Sequence, residues 1–132
     1  MGSSLTADGP VALVTGSTRG IGWATARVLA RDGMAVVITG HESKDAVAQR
    51  TAELREAFGR DAIGFAGDVA DPKRVEELFR EIFDRYKRLD VAVANAGILR
   101  QDRLGMISPE VIAEVFAVNL TGALNTVQGA SR

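Results

Sequence analysis

The sequence predicts an α/β fold, a doubly wound parallel sheet with helices on both faces. Three observations predict it. Short, continuously apolar runs recur along the chain, and each is followed by a longer segment of helical periodicity. A glycine-rich turn, Gly16 to Gly22, joins the first run to the first helical segment. The composition is that of a globular chain: 132 residues, 46% hydrophobic and 25% charged, with a net charge of −1. A chain so apolar and so nearly neutral is not a disordered one.

Val11 to Thr15 is an apolar run short enough for a strand buried on both faces. Gly20 to Arg31 follows as a helix, with Ile21, Ala24 and Val28 expected on its inner side. Ala35 to Thr39 is the second strand. Ser43 to Phe58 is the second helix, with Val47, Thr51, Leu54 and Phe58 in one stripe and Gly59 at the C-cap position. Ala62 to Gly67 is a third strand. Asp71-Pro72 opens a third helix, a capping side chain followed by proline in the first turn. Its stripe is Val75, Leu78, Phe79, Ile82, Phe83 and Tyr86, and Lys87 and Arg88 close it at the favourable end of its dipole. Val91 to Ala94 is a fourth buried strand. Ser108-Pro109-Glu110 starts one long fourth helix carrying Ile112, Val115, Phe116, Leu120, Ala123, Leu124 and Val127.

The order βαβαβαβα and right-handed crossovers predict the strand order 3-2-1-4, with the winding reversing between strands 1 and 4. Ligands of such sheets bind at the carboxyl ends of the strands beside that switch point. Residues 1–10 read as a flexible leader and 11–132 as part of a single domain. Met1-Gly2 with Thr6 formally fits a myristoylation pattern, for which the leader is the simpler reading. The balance of 16 basic and 17 acidic residues carries no footprint for nucleic acid or an anionic membrane. No apolar run reaches the length of a membrane span. The absence of cysteine excludes disulfides, thiolate metal sites and a cysteine nucleophile, and fits a cytoplasmic location.

The 14 glycines exceed the usual share, and their placement carries the chemistry. Thr15-Gly16-Ser17-Thr18-Arg19-Gly20-Ile21-Gly22 follows the first strand. Gly16 suits a sharp turn off the strand. Gly20 leaves room for a pyrophosphate at the helix N-terminus, where unpaired N–H groups and the dipole favour anions. Gly22 lets the helix pack closely. The same residues also read as a glycine-rich turn that binds nothing.

Thr-Gly-x-x-x-Gly-Ile-Gly is similar to the cofactor motif of the short-chain dehydrogenase/reductase family. Asp68-Val69 after the third strand resembles the family's adenine-holding pair. Asn95-Ala96-Gly97 resembles the family's Asn-Asn-Ala-Gly, with Ala94 in place of its first asparagine. Val118-Asn119-Leu120-Thr121-Gly122 resembles the segment that carries the family's active-site asparagine. The resemblance runs from Val11 to about Gly122. Within the family, Gly97-Ile98-Leu99-Arg100 and the loop after it look most like 3-oxoacyl-[acyl-carrier-protein] reductases.

The resemblance implies a Rossmann-like domain that binds its cofactor through Gly16, Ser17, Thr18, Arg19, Gly20, Ile21, Gly22, Asp68, Val69, Asn95, Ala96 and Gly97. It implies that Asn119 supports a proton relay. It also implies a homo-oligomer acting on a small-molecule or acyl-thioester substrate, with no metal. NAD-preferring folds place an acid directly after the second strand. Here that strand runs Ile38-Thr39-Gly40-His41, with no acid before Glu42. Arg19 stands where NADP-preferring members carry a guanidinium, so NADP(H) is expected over NAD(H). His41, the only histidine, is either a solvated loop residue or a neighbour of the 2′-phosphate.

The family's Tyr-x-x-x-Lys is not met. Tyr86, the single tyrosine, is followed at that spacing by Asp90 and belongs to the apolar stripe of the third helix. In the family the catalytic Ser, Tyr and Lys come after the helix that carries Asn119. The sequence therefore reads as the N-terminal portion of the fold, truncated after its fourth βα unit. The 132-residue chain is expected to be inactive alone, with an open edge at the fourth strand and an uncovered apolar side on the fourth helix. Taken singly, Asp68 also reads as a turn cap and Asn95-Ala96-Gly97 as a strand-ending turn. Asn119 in its apolar stripe reads as a buried, hydrogen-bonded side chain. Two other readings stand beside the reductase. One is a non-catalytic nucleotide-binding or interaction module. The other is a different Rossmann-like enzyme such as a methyltransferase, against which Asn95-Ala96-Gly97 and Asn119 argue.

Overall fold

A computed structural model describes residues 8–41 and 43–132. The myristoylation pattern at Met1, Gly2 and Thr6, most of the leader, and Glu42 lie outside the described residues.

The sheet has four parallel strands, β1 (Val11–Val14), β2 (Ala35–Gly40), β3 (Ala62–Ala66) and β4 (Val91–Val93), in the order β3-β2-β1-β4. Alternation sends successive side chains to opposite faces. Val11, Leu13, Ala35 and Val37 pack against α3 (Pro72–Tyr86) through Val75, Leu78, Phe79 and Ile82. Val14, Val36 and Ile38 pack against α1 (Gly20–Arg31) and α2 (Lys44–Phe58). Thus β1 and β2 are buried on both faces, as a doubly wound sheet requires.

The end signals act as expected. The Ser43 side chain accepts from the Ala46 N–H, and that of Asp71 from Lys73 N–H. Gly59 closes α2 at φ 65°, in the left-handed region. Lys87 closes α3 at φ 59° and is the one non-glycine residue with positive φ among those described. The next turn is fastened by Arg88 to Asp90 at 2.7 and 2.9 Å, and Asp90 accepts from the Val11 N–H at 2.8 Å. The hydrogen bond from Arg88, and after it that from the Val11 N–H, holds the Asp90 carboxyl below the usual carboxylate range.

Three expectations need correction. On α1 the buried residues are Gly22, Ala26 and Ala30, while Ile21 and Val28 are 79% and 44% exposed and Ala24 is exposed too. The small side chains let the helix axis approach the sheet, and the larger apolar ones turn outward. The strand at Val91–Val93 is half-buried and not buried, while its outer edge, open as expected, has no partner among the described residues. The long fourth helix is not uniform: α4 (Pro109–Phe116) and α5 (Gly122–Ala130) flank a π-helical segment, Ala117–Thr121. Its apolar stripe faces outward, the uncovered side that was expected, with Phe116, Leu120, Leu124 and Val127 half or more exposed. The inner side is made instead by Gly122, Thr126 and Gly129. A Cβ on Gly122 would lie 2.5 Å from Val69 Cγ2, and one on Gly129 would lie 2.1 Å from Phe79 Cε2. Small residues were needed there for contact with Val69 and α3, so the bulky stripe is left outside.

Candidate functional site

Parallel strands put the segments that follow them on one edge of the sheet. The Gly16–Gly22 turn, Gly40-His41, Gly67-Asp68-Val69 and Asn95-Ala96-Gly97 therefore converge at the carboxyl edge, beside the β1–β4 switch point.

Gly16 has φ 61°, and a Cβ there would lie 2.7 Å from Ala96 Cα. A Cβ on Gly22 would lie 2.2 Å from the Gly16 carbonyl oxygen and 2.5 Å from Asn95 Nδ2. Gly22 thus packs α1 onto the loop itself and onto Asn95. Gly20, at φ 60°, has nothing within 4 Å of where a Cβ would stand. The chain is tight on either side of Gly20 and open above it, the shape a bound phosphate needs.

Three hydroxyls brace this loop. Ser17 is fully buried; its Oγ–H donates to the Val14 carbonyl at 2.6 Å and accepts from the Thr39 N–H at 3.0 Å. The Thr39 Oγ1 accepts from the Gly16 N–H at 3.1 Å. The Thr15 Oγ1 accepts from the N–H groups of Asn95 and Ala96, both at 3.0 Å. Asn95 returns the link, its Nδ2 donating to the carbonyls of Thr15 and Gly16 at 3.1 Å. Ser17 therefore serves by shaping the loop, with its side chain turned inward. Thr39 was missed in the sequence because a threonine at a strand end carries no local signal of its partner 23 residues away.

Arg19 caps α1 without a side-chain bond, and the first intrahelical bond is Trp23 N–H to the Arg19 carbonyl. The N–H groups of the first turn face outward with the positive end of the dipole. Arg19 and His41 are exposed. The Asp68 Oδ1 accepts from the Ala70 N–H at 2.9 Å, so the turn-cap reading of Asp68 holds for this oxygen. Val69 is buried against Gly122, and its carbonyl accepts from Asn125 Nδ2 at 2.9 Å.

Asn119 lies in the π-helical segment and is exposed, contrary to its expected burial. The stripe it shares is the uncovered one. It is nevertheless fully engaged: Oδ1 accepts from the Ile98 N–H at 2.7 Å and Nδ2 donates to the Ile98 carbonyl at 2.9 Å. The amide also sits 3.2 Å from the Cβ position of Gly97. Such single wide turns occur frequently at functional sites.

Tyr86 is at the other end of the molecule. Its hydroxyl donates to Asp61 Oδ2 at 3.0 Å, just before β3 begins. Burial, then the Asp61 charge, pushes the phenol well above its ordinary value. Two surface grooves flank β3, one of them between Thr51, Arg55, Phe65 and Arg74, away from the glycine turn. A surface groove marks space alone, whereas the turn has the donors.

A model of the family described as short chain dehydrogenase matches residues 10–132. The chain belongs to that family. As a short-chain dehydrogenase it is 43% identical over 115 residues to elsinochrome reductase 1 of Elsinoe fawcettii, covering 87% of this chain and 43% of that protein. It is 40% identical over 130 residues to a 3-oxoacyl-[acyl-carrier-protein] reductase of Synechocystis, covering 98% and 51%. A solved actinorhodin polyketide ketoreductase variant with NADPH superposes with a TM-score of 0.90 at 34% identity, covering 96% of this chain and 48% of that one. The short-chain dehydrogenase described here spans about half the length of the curated relatives it matches. Among the described residues no helix is long and apolar enough to cross a membrane.

Proposed function

We propose that this chain forms the NADP(H)-binding part of a short-chain oxidoreductase that reduces a carbonyl to an alcohol. The observation that carries the reading is the open space above Gly20, walled by tight glycine contacts at Gly16 and Gly22 and headed by the donors of α1. Those residues fit a dinucleotide phosphate. When bound, the nicotinamide supplies the hydride.

In this reading the first-turn N–H groups of α1 bind the pyrophosphate, Asp68 and Val69 hold the adenine, and Asn95 to Gly97 line the cofactor's far side. The exposed guanidinium of Arg19, with His41 across the sheet edge, meets the 2′-phosphate, and no carboxylate stands at Gly40 or His41 to repel it. NADP(H) is thereby preferred over NAD(H). A 3-oxoacyl thioester is the substrate class that the 40% identical reductase supports. Asn119 contributes by holding the backbone at Ile98 for a proton relay. Tyr86 does not supply the proton: its hydroxyl is committed to Asp61 away from the glycine turn, and its raised pKa makes it a weaker acid. The 132 residues alone bind cofactor without turnover, the outward stripe of α4 and α5 suits a homo-oligomer, and the cysteine-free composition fits the cytoplasm.

Titration of the purified chain with NADPH and NADH tests the reading. We expect NADPH to bind at least about tenfold more tightly, the contribution of one charge-assisted contact. Binding of neither dinucleotide overturns the reading, and equal affinities overturn the preference. NADPH oxidation with a 3-oxoacyl thioester overturns the inactivity of the chain alone.

A further inference from the structure

The glycine turn is held from behind by a residue of another element. Arg50, in α2, lies 32 positions from Thr18, yet its Nε–H donates to the Thr18 carbonyl at 2.8 Å. Its Nη1 donates to Glu53 Oε2 at 2.8 Å, and Glu53 Oε1 is steadied by Gln49 Nε2 at 3.1 Å. The guanidinium carbon is 4.3 Å from the centroid of the Trp23 ring, which itself packs on the α1–α2 side of the core. A loop bond, an ion pair and a stack together orient a planar group that a lysine could not replace in all three roles.

The loop bond has a directional consequence. No peptide among the described residues is cis. In a trans peptide the carbonyl and the following N–H point in opposite directions. Fastening the Thr18 carbonyl toward α2 aims the Arg19 N–H away from α2. Arg19 and Gly20 are exposed, at the open part of the turn.

We propose that Arg50 is a positioning residue of the phosphate-binding loop, which, by holding the Thr18 carbonyl, sets the Arg19 N–H as a donor to the cofactor's phosphate. This rests on the dinucleotide reading above. A plain α1–α2 tie would stabilise the fold without affecting the donors of the loop.

The test compares wild type, Arg50→Gln and Arg50→Lys in the full chain. NADPH is titrated through the emission of Trp23, the chain's single tryptophan. Backbone amide resonances of Arg19, Gly20 and β1 are followed without ligand. Arg50→Gln is expected to weaken NADPH binding by about tenfold, with the Arg19 and Gly20 amides shifted or broadened and those of β1 in place. Arg50→Lys recovers part of the affinity, because an ammonium still donates to the Thr18 carbonyl. Unchanged affinity and unchanged loop amides in Arg50→Gln overturn the proposal. So does an affinity loss accompanied by equal changes throughout β1, which marks a general loss of structure. If wild type binds no dinucleotide, it is that reading that fails. The loop amides then decide alone whether Arg50 holds the loop, and unchanged resonances in Arg50→Gln overturn it.

Discussion

Asn119 grips the Ile98 backbone from both sides, accepting from its N–H at 2.7 Å and donating to its carbonyl at 2.9 Å. The clamp joins the π turn to the segment that leaves β4, so the end of one element is tied to the middle of another. It needs a side chain that both accepts and donates, which asparagine provides in one planar group.

Replacing that group tests the clamp. Asn119→Ala is expected to lower stability by about 1 kcal/mol, since bonds near solvent are worth little net. The urea midpoint should fall at an unchanged slope. Asn119→Asp should not rescue it, because a carboxylate can accept from the Ile98 N–H but faces the carbonyl oxygen without a donor. A variant Asn119→Asp as stable as wild type would refute the two-sided grip.

Gly22 and Gly20 should respond differently to alanine. At Gly22 the new Cβ meets backbone oxygen at 2.2 Å and Asn95 Nδ2 at 2.5 Å, neither of which yields cheaply. Gly22→Ala is expected to cost about 1–3 kcal/mol, in the range of overpacked sites, and to lose NADPH binding. At Gly20 there is no clash, only the cost of a left-handed conformation, about 1–2 kcal/mol. Gly20→Ala places its methyl in the open space, so binding should fall while the fold survives. Chemical unfolding and NADPH titration of both variants separate the effects; a Gly22→Ala variant as stable as wild type would contradict the packing at Gly22.

Tyr86 makes a prediction about alkaline pH. Burial raises its folded pKa above the ordinary 10.0, so its contribution is complete below pH 10 and is lost as pH rises from there toward the folded value. Tyr86→Phe removes the donor to the buried Asp61 and is expected to cost about 1–2 kcal/mol at neutral pH. It should also reduce the decline of stability above pH 10. Urea midpoints of the two proteins between pH 7 and 11 measure both effects, and parallel curves would exclude the titration of Tyr86.

The order of elements was legible because it is written in local patterns. Continuous apolar runs, the Asp71-Pro72 and Ser108-Pro109 starts and the Gly59 stop each depend on a few adjacent residues. The glycine turn was legible for the same reason. What local patterns could not show is which side of a helix the sheet accepts. On α1 the sheet side went to Gly22, Ala26 and Ala30, and on α5 the inner side went to Gly122 and Thr126, not to the larger apolar residues. Hydrophobicity rewards any large side chain, whereas close approach of two elements rewards the absence of one.

The chain's own sequence was sufficient for the parallel α/β class, the strand order and the family, because these follow from periodicity, crossover handedness and contiguous motifs. The folded arrangement alone decided that Ser17 turns inward, that Asn119 is exposed on Ile98, that Tyr86 belongs to Asp61, and that Arg50 reaches Thr18. Each of these joins residues by a bond whose partner is chosen by packing and distance, and neither quantity is carried by the order of the residues.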